Sequence, residues 1–406
     1  MTLASSVQAP STALLTARNA VATSFAVNGA VFASLVSRLP DVRQRLDLSN
    51  GELGMLLLAM SVGSLVGLPL SGTLVGRLAA SGAVRLGAVC DTLGLGVVAL
   101  GVVSGEVWLA ASGLALHGFG TGVWDVAMNV EAADVERRLG RTIMPRFHAG
   151  WSLGSISGAA VGIVVVGLGV PLLAHLWGVL VAALATAWVT AGRFLTVRHA
   201  GGGASDQHAA ERRSTGWREP RTLAIGVMVL CFALVEGTAN DWLTLGLIDG
   251  YDVPHWLGVA GFALFVAAMT TGRLLGPRLL DRAGRPAVLW GSALLAGVGA
   301  VVTVLGARLD GAGVAVAAAL GIALWGLGAA LGFPVGMSAA ADDGARAAGR
   351  VAVVSTIGYG AFLAGPPLLG HLGDRIGTLE VLLAVTVLMV PASVTVLATR
   401  PARSPA

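Results

Sequence analysis

A few ionisable and amide side chains stand inside long apolar runs: Asn28 in one, His117, Asp125 and Asn129 in a second, Glu236 and Asn240 in a third. Within hydrocarbon such groups must be paired or face water, so they mark the paths of solutes and protons. Glu236 is the sharpest case. It lies about 14 residues into its run, roughly 20 Å along at 1.5 Å per residue, past the middle of a bilayer. Loss of hydration disfavours a charged carboxylate, which fits Glu236 to exchange a proton or to touch a solute. The plainer alternative is a neutral carboxyl hydrogen-bonded to Asn28 or to Asn240, one helical turn away on the same face. Asp125 and Asn129 are also one turn apart, and His117 lies two turns before Asp125, so the three line one wall. Asp125 either joins a solute site or neutralises Arg77 of the neighbouring loop. His117 either binds solute or bonds across helices.

Enzyme chemistry is not expected. Gly150-Trp151-Ser152-Leu153-Gly154 fits the short hydrolase pattern G-x-S-x-G, but that nucleophile needs a strand-to-helix turn. Here Ser152 falls among Gly150, Gly154, Gly158 and Gly162, a spacing that serves close helix contact in lipid. No catalytic residue is assigned. His117 has no partners at metal-ligand spacing, and Cys90 and Cys231 sit in separate apolar runs, so no metal, disulfide or cofactor is expected.

The elements that must hold these residues follow from composition. Of 406 residues 55% are hydrophobic and 12% charged, about half the charge of a soluble domain. Apolar runs long enough to cross a bilayer recur from Ala13 to Thr399, so an all-α membrane protein is expected. Twelve transmembrane helices are placed near 14–36, 52–75, 84–104, 108–130, 147–168, 171–192, 222–248, 256–278, 287–307, 312–338, 351–371 and 378–398. Residues 1–192 form one six-helix bundle, 193–221 a polar cytoplasmic linker, and 222–406 a second bundle. The N-terminal tail lacks a basic n-region and the first run is long, so the first span is expected to remain as an anchor.

The net charge is +4, and every basic residue is an arginine, read as lying between spans, which argues for topology rather than nucleic-acid binding. Only Arg38, Arg43, Arg45, Arg308 and Arg375 fall on one side, so both termini are expected in the cytoplasm of a multi-pass cell-membrane protein. Residues 37–51 read as a short amphipathic surface segment. Sliding the chain by half its length sets Phe25–Gly29 against Phe232–Gly237 and Arg77 against Arg282, so each half is one copy of a six-helix unit. Spans 1, 4 and 7 carry the polar residues. Spans 3 and 6 hold only Asp91 and His175. Span 10 offers Trp325, Phe333 and Pro334, where Trp325 is expected to stack on an apolar or ring-shaped solute.

The loop after span 8 runs Gly276-Pro277-Arg278-Leu279-Leu280-Asp281-Arg282-Ala283-Gly284-Arg285 and resembles the loop signature of the major facilitator superfamily. In the first half Gly72 to Arg77 is the equivalent, with Gly76 where the superfamily carries Asp. The resemblance implies two pseudo-symmetric bundles and a conformational latch made by Arg77, Asp281, Arg282 and Arg285, resting mainly on the second run. The glycines of span 5, with Gly63, Gly67 and Gly72 of span 2, permit close contact at a bundle interface, and the resemblance implies that these two spans form the seam between halves. His117, Gly118, Gly120 and Gly122 resemble the family's glycine-rich fourth helix, with Leu114 where Arg is common. Span 5 lacks the Pro typical of drug/proton antiporters. Ser37–Arg43, Asp125–Asn129 with Glu131, and Arg146–Gly150 are similar to the MosC-like bacterial branch, which implies a polyol-like or amino-sugar-like solute. The function implied is secondary active transport of a small molecule by a monomer, by alternating access and with proton coupling. Multidrug or metabolite efflux by proton antiport, and a non-transporting sensor or scaffold, are the alternatives.

Overall fold

A computed structural model describes residues 11–140, 143–195, 216–342 and 347–400. The polar stretch expected to link the halves falls largely on 196–215, outside the described residues. All regular structure among the described residues is helical. The first half comprises α1 (Thr12–Val36), α2 (Leu39–Arg45), α3 (Asn50–Ser104), α4 (Val107–Leu139), α5 (Met144–Gly167) and α6 (Leu172–Ala191). The second comprises α7 (Pro220–Thr238), α8 (Thr244–Tyr251), α9 (His255–Gly306), α10 (Ala312–Ala329), α11 (Gly332–Ala340), α12 (Ala347–Ile376) and α13 (Ala384–Thr395). Nine helical stretches among the described residues are long and apolar enough to cross a membrane. The expected twelve requires reading α3 and α9 as two crossings each and counting the more polar α4.

Local chemistry sets the boundaries. Ser11 caps α1 by accepting from the Leu14 amide, and Ser49 with Glu52 forms a reciprocal capping box that starts α3. Pro40 opens α2, whose Leu39, Pro40 and Val42 are buried while Gln44 and Arg45 face out. At 55 and 52 residues, α3 and α9 far exceed one bilayer crossing, and each contains one non-helical residue, Ala79 (φ 58°, ψ 171°) and Gly284 (φ 74°, ψ 163°). The offset that aligns Arg77 with Arg282 also aligns these two breaks, so the repeat is structural. Glycine takes this backbone region freely, whereas Ala79 is strained there.

The halves meet at one end. A single hydrophobic core joins Leu35, Leu53 and Leu57 of the first half to Phe262, Leu369 and Leu379 of the second. A separate core, holding Phe25, Val84, Trp124 and Phe147, belongs to the first half alone. The seam is made by α3 against α12 and by α5 against α9. A Cβ at Gly54 would collide with the Pro366 carbonyl, so the α3 and α12 backbones touch. Spans 2 and 5 thus lie at the seam as expected, but most of their glycines face the other way. Gly154 and Gly158 press on Ala26 and Ala30 of α1, Gly63 and Gly67 press on Ala115 and Phe119 of α4, and Gly72 touches nothing. Most of these glycines pack the first half internally, because the faces they occupy point at α1 and α4; a Cβ at Gly162 would also come within 3.5 Å of Val259 of α9.

Candidate functional site

Between α7 and α8 the helix widens into a π turn over Ala239–Leu243, a local expansion common at functional sites. Asn240 and its neighbour Asp241 both line a chamber of about 240 Å³ between the halves. Phe32 of α1, Ser61 and Ser64 of α3, Thr121 and Asp125 of α4, and Tyr359 and Phe362 of α12 complete much of its wall. The Asn129 side-chain amide donates to the Asp125 carboxylate (3.2 Å) and to the Asp125 backbone carbonyl (2.9 Å). Arg77 is exposed and Asp125 faces the chamber, so the expected Asp125–Arg77 neutralisation is not formed: α4 turns that face inward, away from the loop. Asp241, which the sequence reading missed, has no hydrogen-bond partner among the described residues. The chamber thus holds one carboxylate from each half.

Glu236 bonds to neither Asn28 nor Asn240. Its carboxylate accepts from Arg273 Nη2 of α9 at 3.1 and 3.2 Å. Asn28 instead accepts from the Trp151 indole N–H at 3.0 Å, tying α1 to α5. Arg273 falls within the span expected at 256–278, so the reading that the arginines lie between spans fails there, and an arginine inside an apolar run was the signal for it. It stands on the wall of a larger cavity of about 1130 Å³, with His148 and Ser152 of α5 and Phe333 and Met337 of α11. Trp325 does not face this cavity. It is fully buried edge-on against Phe265, with ring centroids 5.5 Å apart, and Phe333 supplies the exposed ring. His117 also points away from both cavities, toward Asp91 of α3, with 2.9 Å between Nδ1 and Oδ1.

The two ends of the bundle differ in their electrostatics. At the end holding α2, Arg43 makes a two-pronged ion pair with Asp249 of α8, both contacts 2.6 Å, and also donates to Asn50. Thr378 donates to Asp249 (2.7 Å) and accepts from the Asn50 amide (3.0 Å). Asp374 of α12 takes the Asn50 and Gly51 backbone N–H groups at 2.7 and 2.9 Å, so a carboxylate of one half caps a helix of the other. His255 bonds to the Ser37 carbonyl at 2.9 Å. Arg38, expected on a solvated surface, is buried and donates to His175, Asp41 and the Val170 carbonyl.

At the opposite end, where the helices break, the large cavity separates the halves. Arg77, Asp281 and Arg282 are exposed there and make no hydrogen bond or ion pair with a described residue of the other half. Arg285 is held within its own half by Asp342 (2.8 Å) and Ser338 (3.0 Å). The molecule is therefore locked at the α2 end and parted at the break end.

Comparison with known proteins agrees with this architecture. The profile of the Major Facilitator Superfamily matches residues 20–366. An uncharacterised transporter of Sinorhizobium fredii, y4wD, is 32% identical over 70% of this chain and 71% of its own. Membrane protein MosC of Rhizobium meliloti is 28% identical over 92% of this chain and 89% of its own. Among solved structures, the nucleoside transporter NupG superposes with a TM-score of 0.74 at 15% identity, covering 97% of this chain and all of that one. A partially occluded, inward-open form of the xylose transporter XylE from E. coli gives 0.66 at 13% identity, over 94% and 98%. With its repeated helical halves, its inter-half chamber and a family match over most of its length, the chain belongs to the major facilitator superfamily.

Proposed function

We propose that this protein carries a small polar solute across the cell membrane by alternating access, coupled to protons, with both termini in the cytoplasm. In that orientation the locked α2 end faces outward and the parted end faces the cytoplasm, so the structure is the inward-facing state. The observation that carries the reading is the chamber between the halves, to which α4 contributes Asp125 and the π turn contributes Asp241. A carboxylate in such a place binds a proton or a hydrogen-bond donor of the solute, and the choice between them links the two. Ser61, Ser64, Thr121 and Asn240 offer further hydroxyl and amide partners, and Phe32, Tyr359 and Phe362 offer ring faces. That mixture suits a polyol-like or sugar-like molecule better than a multivalent anion.

Reconstituted vesicles with an imposed pH gradient test this. A panel of radiolabelled polyols, sugars and amino sugars is expected to include one taken up at a gradient-dependent rate. Asp125→Asn and Asp241→Asn are each expected to lower that rate at least tenfold. Gradient-driven uptake that survives both substitutions removes the chamber carboxylates from coupling.

A further inference from the structure

Behind the chamber wall lies a polar group that the chamber itself does not use. Asp91 of α3 and His117 of α4 are each about 1% exposed. Both sit roughly 15 Å into their membrane-crossing segments at 1.5 Å per residue, near mid-bilayer. The helices touch there: a Cβ at Gly94 would collide with the His117 amide, and one at Gly120 with the Asp91 amide. The pair is held by backbone contact on both sides.

Its hydrogen atoms can be counted. His117 Nδ1 faces two acceptors, Asp91 Oδ1 at 2.9 Å and the Asp91 carbonyl at 3.2 Å, so Nδ1 carries a hydrogen. The Thr121 hydroxyl faces Asp91 Oδ1 at 2.6 Å and the His117 carbonyl at 2.9 Å, and has one hydrogen to give. Asp91 Oδ2 is buried with no partner. With only these hydrogens the pair bears a full negative charge, and no arginine among the described residues contacts it. One added proton, on the carboxyl or on the imidazole, makes it neutral. Other ionisable groups on the packed elements include Cys90 beside Asp91, Arg85 of the same segment, whose guanidinium lies over the Trp188 ring, Asp125 one turn beyond Thr121, Glu131, Asp134, Glu136, Arg137 and Arg138 further along α4, Arg18 of α1, Glu52 and Arg77 of α3, and His175 of α6. Arg18 is engaged by Asn19 and His175 by Arg38.

A buried uncompensated charge is strongly disfavoured, so the pair keeps its extra proton while it is sealed from water. Thr121 is the one member that also lines the chamber. We infer that the Asp91–His117 pair, reached through the Thr121 hydroxyl, is a binding site for the coupling proton. On release, the added proton leaves as an Oδ1–H of the Asp91 carboxyl to Thr121 Oγ, 2.6 Å away, while the hydroxyl's own proton passes to a chamber water. The pair goes from neutral to minus one, and the water gains one proton. This rests on the transport reading of the chamber and adds to it where the proton waits.

The experiment uses the purified full-length chain in nanodiscs, with protons as the only probe. Infrared pH titration reads the carboxylic-acid carbonyl band, and spin labels at Gln44 and Asp310 read the separation of the halves at the α2 end. Asp91→Asn, which keeps an acceptor for His117, is expected to lose one titrating proton per chain and the pH dependence of the label distance. His117→Asn is expected to shift the same titration. Thr121→Val is expected to keep the proton but slow deuterium exchange of the carboxyl at least tenfold, with Thr121→Ser restoring it. A titration unchanged in both Asp91→Asn and His117→Asn overturns the site, whatever the protein transports. A pair that titrates without moving the label distance at any pH overturns its coupling role. Labels that stay static at the α2 end and at a second pair, Leu78 and Ala283 at the break end, refute the transport reading as well.

Discussion

Replacing Arg43 with Ala removes the two-pronged contact that holds α2 of the first half to α8 of the second. The pair is partly screened, with side chains 21% and 30% exposed, so it falls between a surface ion pair and a buried one. Two short charge-assisted bonds at such a site contribute about 1.5–3 kcal/mol. They exist only while the α2 end is closed, so their loss shifts the conformational equilibrium by roughly 10–100-fold toward the open form. Asp249 keeps its Thr378 bond, which places the expectation near the lower bound. The assay is labelling of Ser64→Cys in the chamber by a membrane-impermeant maleimide, in a Cys90→Ala, Cys231→Ala background. The labelling rate follows the fraction of molecules open at that end, so Arg43→Ala is expected to raise it about tenfold. Exchanging the charges, Arg43→Asp with Asp249→Arg, is expected to restore most of the closed population. A labelling rate unchanged by Arg43→Ala would refute the role given to the pair.

Three further substitutions test separate parts of the structure. Asp374→Asn removes the charge that caps α3 from the other half, worth about 1 kcal/mol, and is expected to raise maleimide labelling several-fold; no change would make that cap incidental. Glu236→Gln leaves Arg273 without its carboxylate on the large cavity, and is expected to lower gradient-driven uptake at least tenfold; uptake at the parent rate would take Glu236 out of coupling. Ala79→Gly relieves a backbone conformation costing about 1–3 kcal/mol and returns about 0.5–1 kcal/mol of chain entropy, so the unfolding midpoint in detergent is expected to rise by about 1–2 °C. A lower midpoint would show that Ala79 is not strained.

The helical membrane fold and its duplication were legible because hydropathy and repeated motifs are local properties of the chain. The matching breaks at Ala79 and Gly284 follow from the same repeat. Which face each helix turns to which neighbour was not legible. Glycine spacing announced close packing, but nothing in the spacing of Gly154 and Gly158 distinguishes α1 from the opposite half. Trp325 looked like a solute contact by residue type alone, and packing against Phe265 decided otherwise. Asp241 had no place in the sequence reading, and a regular helix, turning 100° per residue, would separate it from Asn240. The π turn changes that phase and brings both to the chamber. Arg43 and Asp249 lie in different halves, and their pairing follows only from tertiary structure.

The central claim is that the two ends open in alternation around one chamber. Spin-label pairs at Gln44 and Asp310 for the α2 end, and at Leu78 and Ala283 for the break end, measure both separations by pulsed electron resonance in nanodiscs. Two populations are expected, one with a short α2-end distance and a long break-end distance, the other reversed, with Arg43→Ala enriching the second. Separations that rise and fall together, or a single fixed population at both ends in the parent and in Arg43→Ala, would contradict the account.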